Sequence, residues 1–201
     1  MEPTEANLRA WDAVRNALPS RAIPDAVRAL LPELAGRHAL HVPCGTGEAM
    51  AELTELGALV TAVDVDADLL EAARRRVPTA ALVQADPALL PAELQRGRFD
   101  LVYAGSGILE SARDLGAFAA QASTALRPGG SLLVQDLHPT AACVDLPSQR
   151  WRGDYFGGGH ATLGAVVTAV AGAGLRVAAL EELPSAARRV PGEFALLALK
   201  A

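Results

Sequence analysis

The sequence is poor in aromatic residues, in cysteine and in positive charge, and it has no long apolar run. Aromatics make up 4% of the 201 residues, so core bulk must come mostly from Ala, Leu and Val, and each Trp, Tyr or Phe needs a reason for its place. Two cysteines, Cys44 and Cys143, are too few for the disulfide framework of a small secreted scaffold. A formal net charge of −5 supplies no electrostatic drive towards nucleic acid. The longest stretch free of Asp, Glu, Lys, Arg and His, 161–175, is glycine-rich and falls short of the roughly 18 residues of a membrane span. No charged segment followed by an apolar one opens the chain, so a cytoplasmic location is expected. Histidines and cysteines are scattered without ligand spacing, and no metal is expected.

What is present is a globular composition. The chain is 51% hydrophobic and 20% charged, and its length suits one domain over 1–201. One stretch organises it. Residues 38–64 read HALHVPCGTGEAMAELTELGALVTAVD. A short apolar run to Val42 stops at Pro43, and the turn Cys44-Gly45-Thr46-Gly47 follows at once. Helical spacing over 48–56 precedes a second apolar run, 59–63, that ends in Asp64. Strand, glycine turn, helix, strand, acid is the local plan of a nucleotide-binding half-sheet. Glycine lets the backbone approach a ligand, and a carboxylate at the next strand tip accepts from ribose hydroxyls.

The remaining elements alternate in the same way. Residues 5–18 and 24–34 read as helices, forming with the rest of 1–36 a cover over the crevice. Trp11 in the first helix is a candidate acceptor contact, although packing is the commoner use of a tryptophan. Asp66 is placed to cap a helix over 67–76, whose last turn carries Arg74, Arg75 and Arg76 facing solvent. A third strand over 80–85 closes with Asp86-Pro87, and one or two helical turns are expected over 89–94. The fourth strand, 99–104, precedes Gly105-Ser106-Gly107. A helix over 114–126 is stopped by Arg127-Pro128-Gly129-Gly130, and the fifth strand spans 131–137. A long connection over 138–160 reads as a binding loop. It holds Trp151 and Tyr155 and ends at His160, read mainly as a cap for the helix over 161–172. Strands over 175–183 and 193–200, joined by a polar turn, imply antiparallel pairing at that edge.

An ordered set of marks, VPCGTGE, VDVD, QADP, FDLVYAGSG and LRPGG, resembles the class I S-adenosylmethionine-dependent methyltransferases. The stretches YAGSGIL and DLHP and the segment 160–184 are similar to a subgroup of small bacterial enzymes of this type. The resemblance implies an α/β, Rossmann-like, doubly wound fold. Its sheet would be seven-stranded and mostly parallel, with an antiparallel last strand and helices on both faces. It also implies S-adenosylmethionine as cofactor, S-adenosylhomocysteine as product, and an enzyme. By the same resemblance, Pro43, Cys44, Gly45, Thr46 and Gly47 wrap the methionine part of the cofactor. Asp64 holds the ribose, Val65 lies against adenine, and Asp86 accepts from its amino group beside Ala85 and Pro87. Tyr103 and Ala104 border the methyl group. Two positions depart from the family pattern: His41 stands where an acid is usual, and Pro43 where a glycine is usual.

Methyl transfer needs the nucleophile, methyl and sulfur held in line, and a base only where the acceptor must lose a proton. His138, directly after the fifth strand, is expected to face the crevice as a base or orienting group. His160 and Tyr155 are the other candidates for that role, and Trp151 and Tyr155 for lining the acceptor pocket. A small-molecule acceptor is expected, with no nucleic acid and no membrane, on a monomer or homodimer. Two other readings stand beside this one. A nicotinamide-dependent oxidoreductase would use Asp64 for its ribose, but Met50 occupies the third glycine position of the dinucleotide fingerprint. A non-catalytic cofactor-binding module would have His41 and Pro43 as marks of lost activity.

Overall fold

A computed structural model describes residues 22–112, 114–145, 148, 150–157, 161–185 and 190–201. The expected helix over 5–18, Trp11 and His160 lie outside the described residues. In chain order the elements are α1 (Asp25–Arg28), β1 (His38–His41), α2 (Glu48–Glu55), β2 (Leu59–Asp64), α3 (Ala67–Arg76), β3 (Ala81–Gln84) and β4 (Phe99–Ala104). Then come α4 (Ile108–Ser111), α5 (Leu115–Ala125), β5 (Leu126–Leu137), a 3-10 turn (Pro139–Ala142) and a short ribbon of β6 (Val144–Asp145) and β7 (Arg150–Trp151). The last elements are α6 (Leu163–Gly172), β8 (Leu175–Pro184) and β9 (Pro191–Lys200).

The sheet has seven strands in the order β3-β2-β1-β4-β5-β9-β8. Pairing is parallel from β3 across to β5, and β9 runs antiparallel to both its neighbours. The expected mostly parallel sheet with an antiparallel last strand is what the chain forms. Strand order reverses between β1 and β4, so ligands belong at the carboxyl ends of those strands.

Alternating side chains go to opposite faces of the sheet, and both faces are covered. Leu40, Val102, Leu132, Val134 and Phe194 pack with Phe118 and Ala122 of α5 and Val166 and Val170 of α6. On the other face Ala39, Ala62, Leu101, Tyr103 and Leu133 pack with Met50 and Leu53 of α2, Leu70 and Ala73 of α3, and Ile23, Val27 and Leu34. Each such fully buried Leu or Met contributes about 1.5–3 kcal/mol relative to exposure.

Local differences from the expected elements have local causes. Helix α1 is a single turn, and a hydrogen-bonded turn and irregular chain follow it up to β1. Residues 89–94 form turns rather than helix. Strand β5 starts at Leu126, because Leu126 pairs with Phe99 before the register shifts to Leu101 and Ser131. Gly130 is required there: a Cβ would lie 3.0 Å from the carbonyl oxygens of Phe99 and Arg127. The N-cap of α6 is Thr162, its hydroxyl accepting from Ala165 N at 3.1 Å. Asp66 caps α3 as expected, accepting from Asp68 N at 2.8 Å and Leu69 N at 3.3 Å.

Candidate active site

Strand β1 hands the chain to α2 through the glycine turn. The Val42–Pro43 peptide is cis, and Gly45 and Gly47 have φ of 52° and 88°, left-handed values that favour glycine. The two glycines serve different ends. A Cβ on Gly47, the N-cap of α2, would lie 3.0 Å from Ala73 Cα and from Met50 Cε, so that glycine lets α2 and α3 pack. Around Gly45 nothing lies within 4 Å of the same point, which leaves its backbone open to a ligand.

The turn is tied down from two sides. Asp64, at the tip of β2 and 3% exposed, accepts from Gly45 N at 2.9 Å and from Asp66 N at 3.1 Å. Each carboxylate oxygen keeps a further lone pair. Arg76, the last residue of α3, donates to the Thr46 carbonyl at 3.0 Å and pairs with Glu48 at 2.7 Å. Burial pushes the Glu48 carboxyl upward, but the Thr46 hydroxyl, its own backbone and Arg76 outweigh that and hold it below the usual range. Glu48 is therefore a negative charge in the first turn of α2.

The tips of β2 and β3 lie side by side. Ala85 N donates to the Asp64 carbonyl, and the Gln84 amide to the Val65 carbonyl. Val65 is half exposed, Pro87 is buried, and Asp86 is exposed, with one oxygen accepting from Ala88 N at 2.7 Å. This end of the sheet thus presents two carboxylates and an apolar side chain beside the open turn.

At the end of β4, Tyr103 is not open to the crevice. It is buried on the α2 face, its ring lies 5.2 Å from that of His41, and its hydroxyl donates to Gln135 Oε1. Burial, with Glu193, Glu52 and Asp136 adding to it, pushes its phenol far above the ordinary value. Its neighbour Ala104 is also buried. Gly105 follows, and a Cβ there would lie 3.0 Å from His41 Nε2 and 3.6 Å from the Pro43 carbonyl oxygen. His41 is 2% exposed, and burial lowers its pKa to about 4 against the pull of Glu48. Beyond Gly105, Asp136 of β5 accepts from Gly107 N at 3.0 Å, Leu109 N at 2.8 Å and Leu137 N at 2.7 Å, fixing the start of α4. Burial pushes its carboxyl up to about 6 despite these bonds.

Of the expected acceptor-side residues, His138, Trp151 and Tyr155 are among those described. His138 is buried and turned towards the far edge of the sheet: Nδ1 is 2.7 Å from Thr140 Oγ1, and Nε2 is 3.0 Å from Glu182 Oε1 on β8. Burial lowers its pKa, with Glu182 opposing. The Nε2–Glu182 approach has an ion-pair distance but not the angle of a hydrogen bond. Trp151 and Tyr155 are 6.5 Å apart, and the Tyr155 hydroxyl accepts from Leu163 N at 3.1 Å. The structure therefore brings together Pro43 to Gly47, Asp64, Val65 and Ala85 to Pro87, and sets His138 apart from them. Asp136, Arg76 and Gly105 were missed as site residues. An acid closing an apolar strand marks Asp136 in the sequence just as it marks Asp64; no local signal marks Arg76 or Gly105.

The donor set fits a nucleoside without pyrophosphate. Asp64 and Asp86 are acceptors for hydroxyls and an amine, whereas the ionised Glu48 opposes an anion at the start of α2. Met50, at the third position of the dinucleotide fingerprint, is fully buried beneath the turn. Among the described residues no group of three His, Cys, Asp or Glu side chains is arranged to hold a metal ion.

Comparison with known proteins agrees with this geometry. Residues 40–134 match the model of a methyltransferase domain. A ubiquinone biosynthesis O-methyltransferase of Xanthomonas oryzae pv. oryzae is 35% identical over 147 residues, which cover 69% of this chain. The chain spans 60% of that enzyme's length. An S-adenosylmethionine-dependent methyltransferase of Mesorhizobium loti has the same fold, with a TM-score of 0.75 and 23% identity over 90% of this chain and 99% of that one. The cyclase SpnF shares the fold at a TM-score of 0.67 and 16% identity, over 88% of this chain and 79% of its own. Residues 40–134 of this chain accordingly match a methyltransferase domain, and the sheet as a whole has the fold of the S-adenosylmethionine-dependent methyltransferases.

Proposed function

We propose that the protein transfers a methyl group from S-adenosylmethionine to a small-molecule acceptor by direct in-line displacement, leaving S-adenosylhomocysteine. The observation that carries this reading is the pairing of an open glycine turn with acceptors, not cations, at the neighbouring strand tips. The bound cofactor supplies an electrophilic methyl group on a sulfonium. The chain's own residues do the rest. Asp64 accepts from the ribose hydroxyls, Val65 covers one face of the adenine, and Asp86, with Ala85 and Pro87 beside it, accepts from the adenine amine. Residues Pro43 to Gly47 enclose the amino-acid end, and the backbone of Tyr103 and Ala104 borders the methyl group. Holding donor and acceptor in line supplies the main catalytic effect.

A base is needed only where the attacking atom carries a proton. His138, His160 and Tyr155 are the proposed groups for that task, and His138 must leave its Glu182 contact to perform it. Trp11, Trp151 and Tyr155 are proposed to line the acceptor pocket. We place the whole chain in one domain and the protein in the cytoplasm as a monomer or homodimer that engages neither nucleic acid nor a membrane. Among the described residues no helix is long and apolar enough to cross a membrane.

A second reading, cofactor binding without methyl transfer, is favoured by His41 at the end of β1, by Pro43 at the start of the turn and by a cyclase on the same fold. Calorimetry with S-adenosylhomocysteine and with NAD, followed by a methyl-transfer screen against phenols, amines and carboxylic acids, separates the readings. Binding of S-adenosylhomocysteine alone, with turnover of one acceptor class, is the expected result. Binding of NAD instead would sink the methyltransferase reading, and cofactor binding without any turnover would favour the second one.

A further inference from the structure

Helix α4 has no cap of its own. Its N-cap is Gly107, which has no side chain, and its first amides are taken up instead by Asp136 on β5. Asp136 Oδ1 accepts from Gly107 N at 3.0 Å and from Leu137 N at 2.7 Å, and Oδ2 accepts from Leu109 N at 2.8 Å. One buried side chain therefore ties the end of β5 to the bend that follows β4, 27 and 29 positions earlier in the chain. That bend, Gly105-Ser106-Gly107, leaves the strand tip whose backbone is proposed above to border the methyl group. Ser106 is exposed at its outside, and Ile108 N closes it on the Gly105 carbonyl at 3.2 Å.

Stability does not account for an acid at this position. A buried negative charge is costly, and burial, with Glu110 adding to it, pushes the carboxyl up to about 6. An asparagine would avoid the charge and keep its oxygen on Gly107 and Leu137, but it would turn an N–H donor towards Leu109 N. Only the carboxylate accepts from all three amides. What the charge supplies is a fixed place for the bend and for α4.

We propose that Asp136 is a positioning residue for methyl transfer: its carboxylate holds the Gly105–Gly107 bend and α4 against the end of β5, and so sets where the acceptor meets the methyl group. The inference rests on the methyl-transfer reading above and deepens it. Asp136 acts through the bend and touches neither cofactor nor acceptor. Protonation releases Leu109, so alignment is lost on the acid side. The ionisable groups near Asp136 are Glu110 on α4 and the Tyr103 phenol on β4, while Phe194, its partner on β9, carries no charge. His138, two residues on, is engaged with Thr140 and Glu182.

The test measures turnover of S-adenosylmethionine by the full chain, with catechol, benzylamine and benzoate as acceptor probes. At pH 8, Asp136→Asn is expected to lower kcat about tenfold, as a misplaced reactant does, with KM for S-adenosylmethionine and calorimetric affinity for S-adenosylhomocysteine within twofold of wild type. At pH 5 the wild-type carboxyl is itself uncharged, and the gap is expected to close to under threefold. Taking the ratio cancels any ionisation of the acceptor. Glu110→Gln leaves Asp136 in place and removes a neighbouring charge, so it should move the acid-side midpoint of kcat to lower pH, and it keeps the test open if the Asn variant does not fold. In nitrogen-15 spectra the Leu109 amide should titrate with the wild-type midpoint and stay unchanged in Asp136→Asn. A kcat ratio equal at both pH values, a midpoint unmoved by Glu110→Gln, or a Leu109 amide that does not titrate would make Asp136 a structural cap and overturn the inference. Equal falls in kcat and in cofactor affinity would overturn it too, by placing the effect on the cofactor. Wild type that binds S-adenosylhomocysteine but methylates no probe would remove the positioning role and leave cofactor binding standing. Wild type that does not bind S-adenosylhomocysteine would remove the cofactor reading as well.

Discussion

Arg76 closes α3 by donating from Nε to the carbonyl oxygen of Thr46, 3.0 Å away in the glycine turn. The same guanidinium pairs with Glu48 at 2.7 Å, so one side chain fastens the turn to the neighbouring helix. Both partners are about half exposed, and an ion pair in that setting adds at most about 1 kcal/mol to stability. The effect belongs to the turn's geometry. Arg76→Ala should weaken S-adenosylhomocysteine binding about three- to tenfold in calorimetry while moving the urea midpoint little. Arg76→Lys, which has no planar fork, should recover only part of the affinity. A variant that binds as wild type would show that the turn holds its shape unaided.

Gly45 and Gly47 share a backbone conformation but not surroundings, so the same substitution should separate binding from folding. A non-glycine residue in the left-handed region costs about 1–2 kcal/mol at either position. Gly47→Ala also drives a Cβ to 3.0 Å from the Ala73 backbone, forcing α2 and α3 apart. Its unfolding free energy should fall by about 3 kcal/mol or more. Gly45→Ala meets nothing within 4 Å and should lose little beyond the backbone term, yet its methyl group blocks the ligand side of the turn. Urea unfolding and calorimetry on both variants check this. Equal losses of stability would undo the division of labour.

Much of this site was legible because its parts are local. The apolar runs of β1, β2 and β4, the cap at Asp66 and the left-handed glycines each depend on residues within a few positions. What could not be read depends on strand order. His138 was expected over the crevice because it follows β5 directly. Strand β9 inserts between β5 and β8, and the imidazole turns across it to Glu182. The Tyr103 hydroxyl, at the end of β4, is claimed by Gln135, 32 positions away on β5. Gly105 meets His41 only because β4 lies next to β1, an adjacency that no local pattern encodes.

Asp136 should leave a mark on the pH dependence of stability. Its folded-state pKa is raised from 3.8 to about 6, burial being the leading cause. The folded protein therefore holds a proton that the unfolded chain has released. That contribution is fully present below about pH 4 and is lost as pH rises through 6. It amounts to roughly 2–3 kcal/mol. Asp136→Asn stays neutral throughout, so the stability of wild type relative to the variant should fall by about that amount between pH 4 and pH 7. Any offset from altered bonds to Gly107 and Leu109 is independent of pH. Urea titrations of both proteins across this range give the comparison; parallel curves would mean that the carboxyl titrates at its ordinary value.

His138 can be assigned by asking which property its removal changes first. The ring is buried, bonded to Thr140 on one nitrogen, 3.0 Å from Glu182 on the other, and packed edge-on against Phe194. Those contacts join the end of β5 to β8 and β9, away from the glycine turn. His138→Ala removes a buried bond and leaves Thr140 short of a partner, a loss of about 1–3 kcal/mol. Cofactor affinity should stay within twofold of wild type, because Asp64, Gly45 and Asp86 are untouched. Glu182→Gln keeps the size of the facing side chain and removes its charge, so it should reproduce only a small part of the stability loss. The decisive measurement is turnover with whichever acceptor the screen identifies, taken at a temperature where the Ala variant is fully folded. Retained turnover would make His138 a structural link between strands. A large fall in kcat with unchanged cofactor affinity would mean that the ring leaves Glu182 during the reaction and reaches the acceptor.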